Sequence, residues 1–219
     1  LALQEQRQSE SKINNHWDAT ITAYGEAKES GAEMVLATEF IAQIMFMQAQ
    51  PELDSYSSMG ITGPARATNQ RRTNEILTEQ LVNNAKALQG VEATYTNIIR
   101  TGAGEWGLAA LVEVGRAYDN MGDSLINSYI PDYLTEDQSE IYMMGLEDKA
   151  YVQEEKAVEA YRLALEKSYE LNLYNENTAY ATRRLGELRP DDFPQLNEDI
   201  ITPRYTSTTV SEREFLEQP

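Results

Sequence analysis

The sequence predicts an all-α protein, on three observations. Apolar and small residues recur at intervals of three and four through most of the 219-residue chain, which is the spacing of one helix face. The segments with this spacing are separated by stretches rich in proline, glycine and serine, which mark turns. Only residues 200–210 show a trace of strand-like alternation, and that fragment has no second strand to pair with.

The first part of the chain is predicted to form a helix over residues 1–30 and then a helical hairpin over residues 33–100. The first helix of the hairpin is expected to end at Pro51, because proline lacks the backbone N–H that a helix interior needs. After a connector over residues 50–67, the second helix carries an apolar stripe that is predicted to face the core. The stripe consists of Leu77, Leu81, Ala85, Leu88, Val91, Tyr95 and Ile98.

The second part is predicted to form another hairpin over residues 105–171 and an end helix over residues 175–189. Thr135 and Gln138 have the spacing of a capping box, in which a hydroxyl and an amide satisfy exposed N–H groups at a helix start. The long second helix of this hairpin is therefore expected to begin there. Residues 1–189 are read as one helical repeat domain. The rest, residues 190–219, is predicted to be an extended or flexible tail.

Small residues are predicted to let the two helices of the second hairpin lie close together. Gly115 lies in the first helix, and Ala157 and Ala164 lie in the second. Tyr118 and Tyr161 are expected to fill the space beside these small residues. Hairpins of this kind bury a continuous core when they stack on their neighbours.

The same positions resemble the tetratricopeptide repeat. The first helix follows the spacing W-x2-L-G-x2-Y, with Leu and Val in place of Trp and Leu, and the second helix matches A-x3-F. Gly115 and Ala157 are 42 positions apart, so about thirty residues are added to a standard repeat and are predicted to lengthen the hairpin. The resemblance implies a short α-solenoid of elongated hairpins. The residues that carry it are Leu111, Val114, Gly115, Tyr118, Ala157, Tyr161 and Ala164.

Two longer stretches, GAGEWGLAALVEVGRAY and EEKAVEAYRLALEKSYELNLYNENT, are similar to a narrower group. They resemble large envelope-associated repeat proteins of deltaproteobacteria, including those of the adventurous gliding-motility machinery. This resemblance implies a non-enzymatic scaffold for protein–protein interaction, located in the periplasm or at the outer membrane. The cytoplasm is the alternative location. The start, LALQEQRQSESK, is not an intact signal peptide and is expected to belong to a processed or truncated piece.

The resemblance also implies where a partner protein binds. In the repeat family, peptides or helices lie on the surface formed by the first helices of the hairpins. Members that bind chaperone tails clamp a terminal carboxylate with a lysine and two asparagines, whereas this chain has Val112, Arg116 and Asp119 there, which argues against that ligand. The implied partner-binding residues are Ala109, Val112, Arg116, Asp119, Asn120, Tyr180, Arg183 and Arg184.

The pairing of the scarce arginines is an open question. The islands Arg66, Arg71, Arg72 and Arg183, Arg184 either pair with acidic residues of the chain itself or bind an acidic segment of a partner.

Composition excludes several classes of function. The chain has 36 acidic and 18 basic residues, a net charge of −18, which repels nucleic acid and anionic membranes. It has no run of about 18 apolar residues for membrane insertion, and no cysteine for disulfides or thiolate metal sites.

Catalytic and ligand-binding motifs are missing as well. His16 is the only histidine, and no nucleophile, phosphate-loop or metal-binding motif accompanies it. No catalytic residue, metal, cofactor or small-molecule ligand is therefore expected. The first alternative to a scaffold is a structural spacer or self-assembling subunit. An enzyme in a helical fold is a less favoured alternative.

Overall fold

The computed structural model describes the backbone of residues 2–31, 35–66 and 68–194, and the side chains of these residues from 11 onward apart from residue 35. This part of the chain is helical with no strand, which confirms the all-α prediction. Most of the predicted tail, and the strand-like fragment within it, lie outside the described residues. The helices of the described part are α1 (Ala2–Glu29), α2 (Val35–Ser57), α3 (Gln70–Thr101), α4 (Gly104–Ile126), α5 (Glu136–Leu171) and α6 (Glu176–Leu188).

The helices pack in two layers. Each helix packs against the next one along the chain, and in addition α4 contacts both α2 and α6. In the described ranges, no two of α1, α3 and α5 bring Cα atoms within 8 Å of one another. One layer therefore consists of α2, α4 and α6, which lie side by side, and α1, α3 and α5 form a more widely spaced second layer.

Helices α4 and α5 run antiparallel, and α5 is much longer. A Cβ added to Gly104, at the start of α4, would contact Leu171 at the end of α5, and one added to Gly122 would contact the carbonyl oxygen of Ala150. Because α5 has 36 residues and α4 has 23, the first part of α5 extends beyond the end of α4. There a cleft separates it from the first part of α3, with Leu77 and Leu81 on one side and Leu146 on the other.

The interface between α4 and α5 contains the small residues that were singled out from the sequence. A Cβ on Gly115 would lie 2.5 Å from Cε1 of Tyr161, so the ring occupies the space that any other side chain would need. Ala157 and Ala164 are fully buried, and Tyr118 is buried beside them. Close approach of the two helices thus depends on small residues at positions 115, 157 and 164, because a larger side chain there would push the helices apart.

The prediction that α2 ends at Pro51 is wrong, because the helix continues to Ser57. Pro51 removes one backbone hydrogen bond, but the residues after it bury Leu53 and Tyr56. The Tyr56 hydroxyl donates a hydrogen bond to the carbonyl oxygen of Ala117, at 2.8 Å. This burial and this bond to α4 offset the local cost of the proline.

The buried face of α3 differs from the predicted stripe at four positions, because Thr73 and Asn84 are buried and two predicted residues are not. Leu81 and Ala85 are only partly buried, and Asn84 is buried in their place, with 1% of its surface exposed. Neither side-chain atom of Asn84 has a hydrogen-bond partner among the described residues. The buried positions of α3 are Thr73, Leu77, Asn84, Leu88, Val91, Tyr95 and Ile98.

The starts of α5 and α4 are stabilised in different ways. Thr135 and Gln138 form the predicted capping box, and α5 begins directly after it, which confirms that prediction. At the start of α4, the backbone N–H of Gly104 donates to Oε1 of Glu39, at 2.6 Å. Glu39 lies on α2, so a side chain from another hairpin places its carboxylate at the N-terminus of α4, where negative charge is favoured.

Candidate partner-binding groove

A groove of about 710 Å³ lies between the second half of α4 and the second half of α6, beside the end of α2. It contains six of the eight residues that were assigned to partner binding from the sequence; their role in binding stays a prediction. The groove is lined by Ser57, Arg116, Asp119, Asn120, Asp123, Tyr180, Arg183, Arg184 and Glu187.

The other two assigned residues do not reach the groove. Ala109 is 4% exposed and Val112 is fully buried, so the expectation that they lie on an open surface is wrong. Helix α4 is contacted by α2, α3, α5 and α6, and its first half is enclosed by them. Only from Arg116 onward does the same face of α4 open to solvent.

Two arginines lie against the ring of Tyr180. The guanidinium carbon of Arg116 is 3.9 Å from the ring centroid, and that of Arg183 is 5.2 Å from it. Stacking of this kind is favourable and holds a guanidinium in a defined place. Arg183 has 61% of its side chain exposed, and its ion pair with Glu187 is long, at 3.9 Å. The groove therefore presents a positioned aromatic ring with an accessible cation next to it.

Asp119 joins three helices below this surface. Its Oδ2 accepts a hydrogen bond from the Tyr161 hydroxyl of α5 at 2.7 Å and one from Nε of Arg184 of α6 at 3.0 Å. Arg184 also donates to Glu187, at 2.6 Å. Desolvation, and then the negative charge of Asp119, raise the pKa of the Tyr161 hydroxyl, so it remains a donor at neutral pH.

The question whether the island arginines pair within the chain is answered for three of them. Arg184 is paired internally with Asp119 and Glu187, and Arg71 and Arg72 are paired with Glu75. These pairs fit a structural role.

Glu113, which sequence analysis did not single out, lies beneath Arg116 and is only 7% exposed. Nη1 of Arg116 donates to Oε1 of Glu113 at 3.2 Å. The second carboxylate oxygen and Nε of Arg116 are buried without a hydrogen-bond partner in the described part of the chain. Desolvation raises the pKa of the Glu113 carboxyl, and the opposing effect of Arg116 is smaller. A charged residue three positions before Arg116, on an otherwise apolar stretch, was the available signal for this pair.

Replacing Glu113 with glutamine is expected to change the dependence of stability on pH. Because the pKa of Glu113 is raised in the folded state, its contribution to stability is present at low pH and is lost as pH rises through that pKa. The difference in unfolding free energy, Glu113→Gln minus wild type, should therefore increase between about pH 4 and pH 7. Urea unfolding at a series of pH values measures this difference.

Glu75 offers a control of opposite sign. Hydrogen bonds from Arg71 and then Arg72 lower the pKa of its carboxyl, so its contribution is present above the unfolded-state pKa and is lost at low pH. For Glu75→Gln the same difference should decrease as pH rises. If the two variants show the same trend, the burial argument for Glu113 is refuted.

In residues 2–31, 35–66 and 68–194, no group of three or more His, Cys, Asp and Glu side chains is placed to hold a metal ion. His16 is exposed on α1. Among the described helices, none combines the length and the apolar character that crossing a membrane requires.

Comparison of this chain with protein-family models, with curated proteins and with solved structures found no match.

Proposed function

We propose that this protein is a non-enzymatic scaffold for protein–protein interaction, and that the groove between α4 and α6 binds an acidic segment of a partner protein. The observation that carries the proposal is the stack of Arg116, Tyr180 and Arg183 in an open groove. A guanidinium held against an aromatic ring offers hydrogen-bond donors that fit a carboxylate, and the ring offers apolar contact area at little entropic cost.

The acidic residues of the groove limit where a carboxylate of the partner can bind. Asp119 and Glu187 are already engaged by Arg184. The pKa of Asp123 is raised, first by desolvation and then by Asp119, while Arg184 acts in the opposite direction, so additional negative charge is disfavoured beside Asp123. A carboxylate of the partner would therefore pair directly with the exposed Arg183, whose ion pair with Glu187 is long.

The cellular setting is proposed from the resemblance alone. We propose a tetratricopeptide-like α-solenoid in a bacterial envelope complex, such as the gliding-motility machinery, located in the periplasm or at the outer membrane. The layer of α2, α4 and α6 supports this, because the groove lies on helices of that layer, as peptide sites do in repeat proteins. Fractionation of source cells with antibodies against the protein tests the location.

Reversing the charge of groove arginines is expected to abolish partner capture. Arg116→Glu and Arg183→Glu should each lose the partners that wild-type protein retains from an extract of the source cells, because each places a carboxylate where the partner's carboxylate would lie. The readout is mass spectrometry of the captured proteins. Arg71→Glu is the matched control, since Arg71 is 90% exposed and lies on α3; it should retain the partners. Retention of every partner by both groove variants would show that the groove is not the binding site.

A self-assembling subunit is the second candidate, favoured by an apolar patch near the start of α2. Leu36 is 79% exposed and Phe40 is 66% exposed, and Phe40 lines a shallow cleft with Trp106, Leu171 and Leu173. Exposed apolar groups of this kind are typical of association sites. A mass that rises with concentration in light scattering, and returns to that of the monomer in Phe40→Ser, would support this candidate.

A further inference from the structure

A second exposed apolar surface lies on the first half of α5. We call it the outer stripe, and it consists of Ile141, Met144, Tyr151 and Val152. Their exposed fractions are 70%, 63%, 58% and 51%. Their spacing places all four on one side of the helix, over a length of about 16 Å, and the exposed Asp148 lies on the same side between Met144 and Tyr151.

The outer stripe is not the side of α5 that packs in the fold. Ala150 and Ala157 are buried, and Leu146 is partly buried against the core. These three residues repeat at intervals of four and seven, and they lie on the opposite side of the helix from Ile141. This half of α5 is therefore apolar on two sides, and a helix of that kind is usually covered on both.

The charges around the outer stripe indicate what kind of surface covers it. Between residues 136 and 149 the helix carries five exposed carboxylates and one lysine. The lysine, Lys149, lines a cleft on the α3 side, so it does not neutralise the outer side. At the other end of the stripe, Arg189 lies 5.7 Å from the ring centroid of Tyr151 and pairs with Glu154 and Glu155, so that end already has a cation of the chain itself. An occupant with cations beside its apolar residues would gain charge–charge attraction along the part of the contact before Lys149. The acidic residues are Glu136, Asp137, Glu140, Glu147 and Asp148.

The same charges disfavour three other occupants. A second copy of the chain would bring two acidic surfaces together. Residues 195–219 of the chain itself carry five acidic residues and two arginines, so they too would be repelled. Anionic membrane surfaces are repelled for the same reason. A basic partner is the occupant that the charges allow.

We propose that the outer stripe binds a basic amphipathic helix of a second partner protein. The apolar face of that helix packs on Ile141, Met144 and Val152, and the flexible methionine adapts to its shape. Lysines or arginines beside that face reach Glu140 and Asp148. This site is separate from the groove between α4 and α6 and takes a ligand of opposite charge, so the scaffold would join an acidic segment to a basic helix.

A pair of designed peptides tests the proposal. The probe is an 18-residue fluorescent helical peptide with leucine at intervals of three and four and lysine elsewhere. A peptide with glutamate in place of lysine is its control. Fluorescence anisotropy with the 219-residue chain should show at least tenfold tighter binding of the lysine peptide.

Variants of the stripe separate docking from diffuse attraction by the net charge of −18. The double variant Ile141→Ser/Met144→Ser keeps that charge and should bind the lysine peptide at least tenfold more weakly. Phe40→Ser, which removes an equally exposed apolar group from α2, should change the affinity less than twofold. Glu140→Lys/Asp148→Lys should shift the preference toward the glutamate peptide.

Two outcomes would overturn the proposal. One is equal binding of the lysine peptide by wild type and by Ile141→Ser/Met144→Ser, with circular dichroism showing that both are folded. The other is self-association that this double variant abolishes, since a second copy would then be the occupant. Arg183→Glu should leave peptide binding at the stripe unchanged, so failure of the groove proposal and failure of this one can be told apart.

Discussion

Replacing Gly115 with alanine is expected to lower the free energy of unfolding by about 1–3 kcal/mol, as overpacking of a core does. The new Cβ would lie 2.5 Å from Cε1 and 2.8 Å from Cζ of Tyr161. The ring cannot move away freely, because it is fully buried and its hydroxyl is bonded to Asp119. The steric cost therefore exceeds the gain of about 1 kcal/mol that alanine normally brings to a helix interior. Urea unfolding measures the difference.

Gly145→Ala is the matched control for this prediction. Gly145 lies within α5, and a Cβ there would meet nothing within 4 Å. This variant should gain up to about 1 kcal/mol from helix propensity alone. In a Tyr161→Leu background, Gly115→Ala should cost less than in wild type, since the ring that it contacts is gone. A stabilising effect of Gly115→Ala in the wild-type background would contradict the close packing of α4 and α5.

Replacing Asn84 with leucine is expected to raise the free energy of unfolding by about 1–3 kcal/mol, the usual cost of leaving a buried polar group without a partner. Asn84 is 1% exposed, and within the described ranges neither its oxygen nor its nitrogen is hydrogen-bonded. Leucine has the same number of side-chain heavy atoms and the same branching. It joins Leu77, Leu88 and Val91 on the buried face of α3. The measurement is again urea unfolding.

Asn83→Leu serves as the control, because Asn83 is the exposed neighbour on the same helix. Its effect should stay within about 0.5 kcal/mol. If Asn84→Leu lowers the free energy of unfolding while Asn83→Leu leaves it unchanged, the prediction is contradicted. The side-chain amide of Asn84 would then be hydrogen-bonded in the folded protein, for example to a bound water molecule.

Local signals in the sequence were sufficient to predict most helix positions. The capping pair Thr135 and Gln138 predicted the start of α5, and the intervals between apolar residues predicted the course of α3. The prediction that α2 ends at Pro51 was wrong, because the burial of Tyr56 against α4 offsets the local cost of the proline. That contact is long-range and cannot be inferred from the residues around Pro51.

The residues that line the groove were predicted in part, but their burial was not. The resemblance to the tetratricopeptide repeat implied which residues of α4 share the partner-binding side, and Arg116 and Asp119 do line the groove. The depth to which neighbouring helices cover that face depends on three-dimensional packing, so Val112 was wrongly expected to be open. Glu113 and Asn84 were missed because polar residues are taken as exposed unless a partner is known.

The hydrogen bond between the Glu39 carboxylate of α2 and the first turn of α4 affects which fragments of the protein can fold. The backbone group that it satisfies is 65 positions away along the chain, and Tyr56 makes a second long-range bond to Ala117. A fragment beginning at Gly104 would lack both and would fray at its first turn. The two hairpins are thus expected to unfold as one cooperative unit, and shortening the protein from its N-terminal side should weaken regions far from the cut.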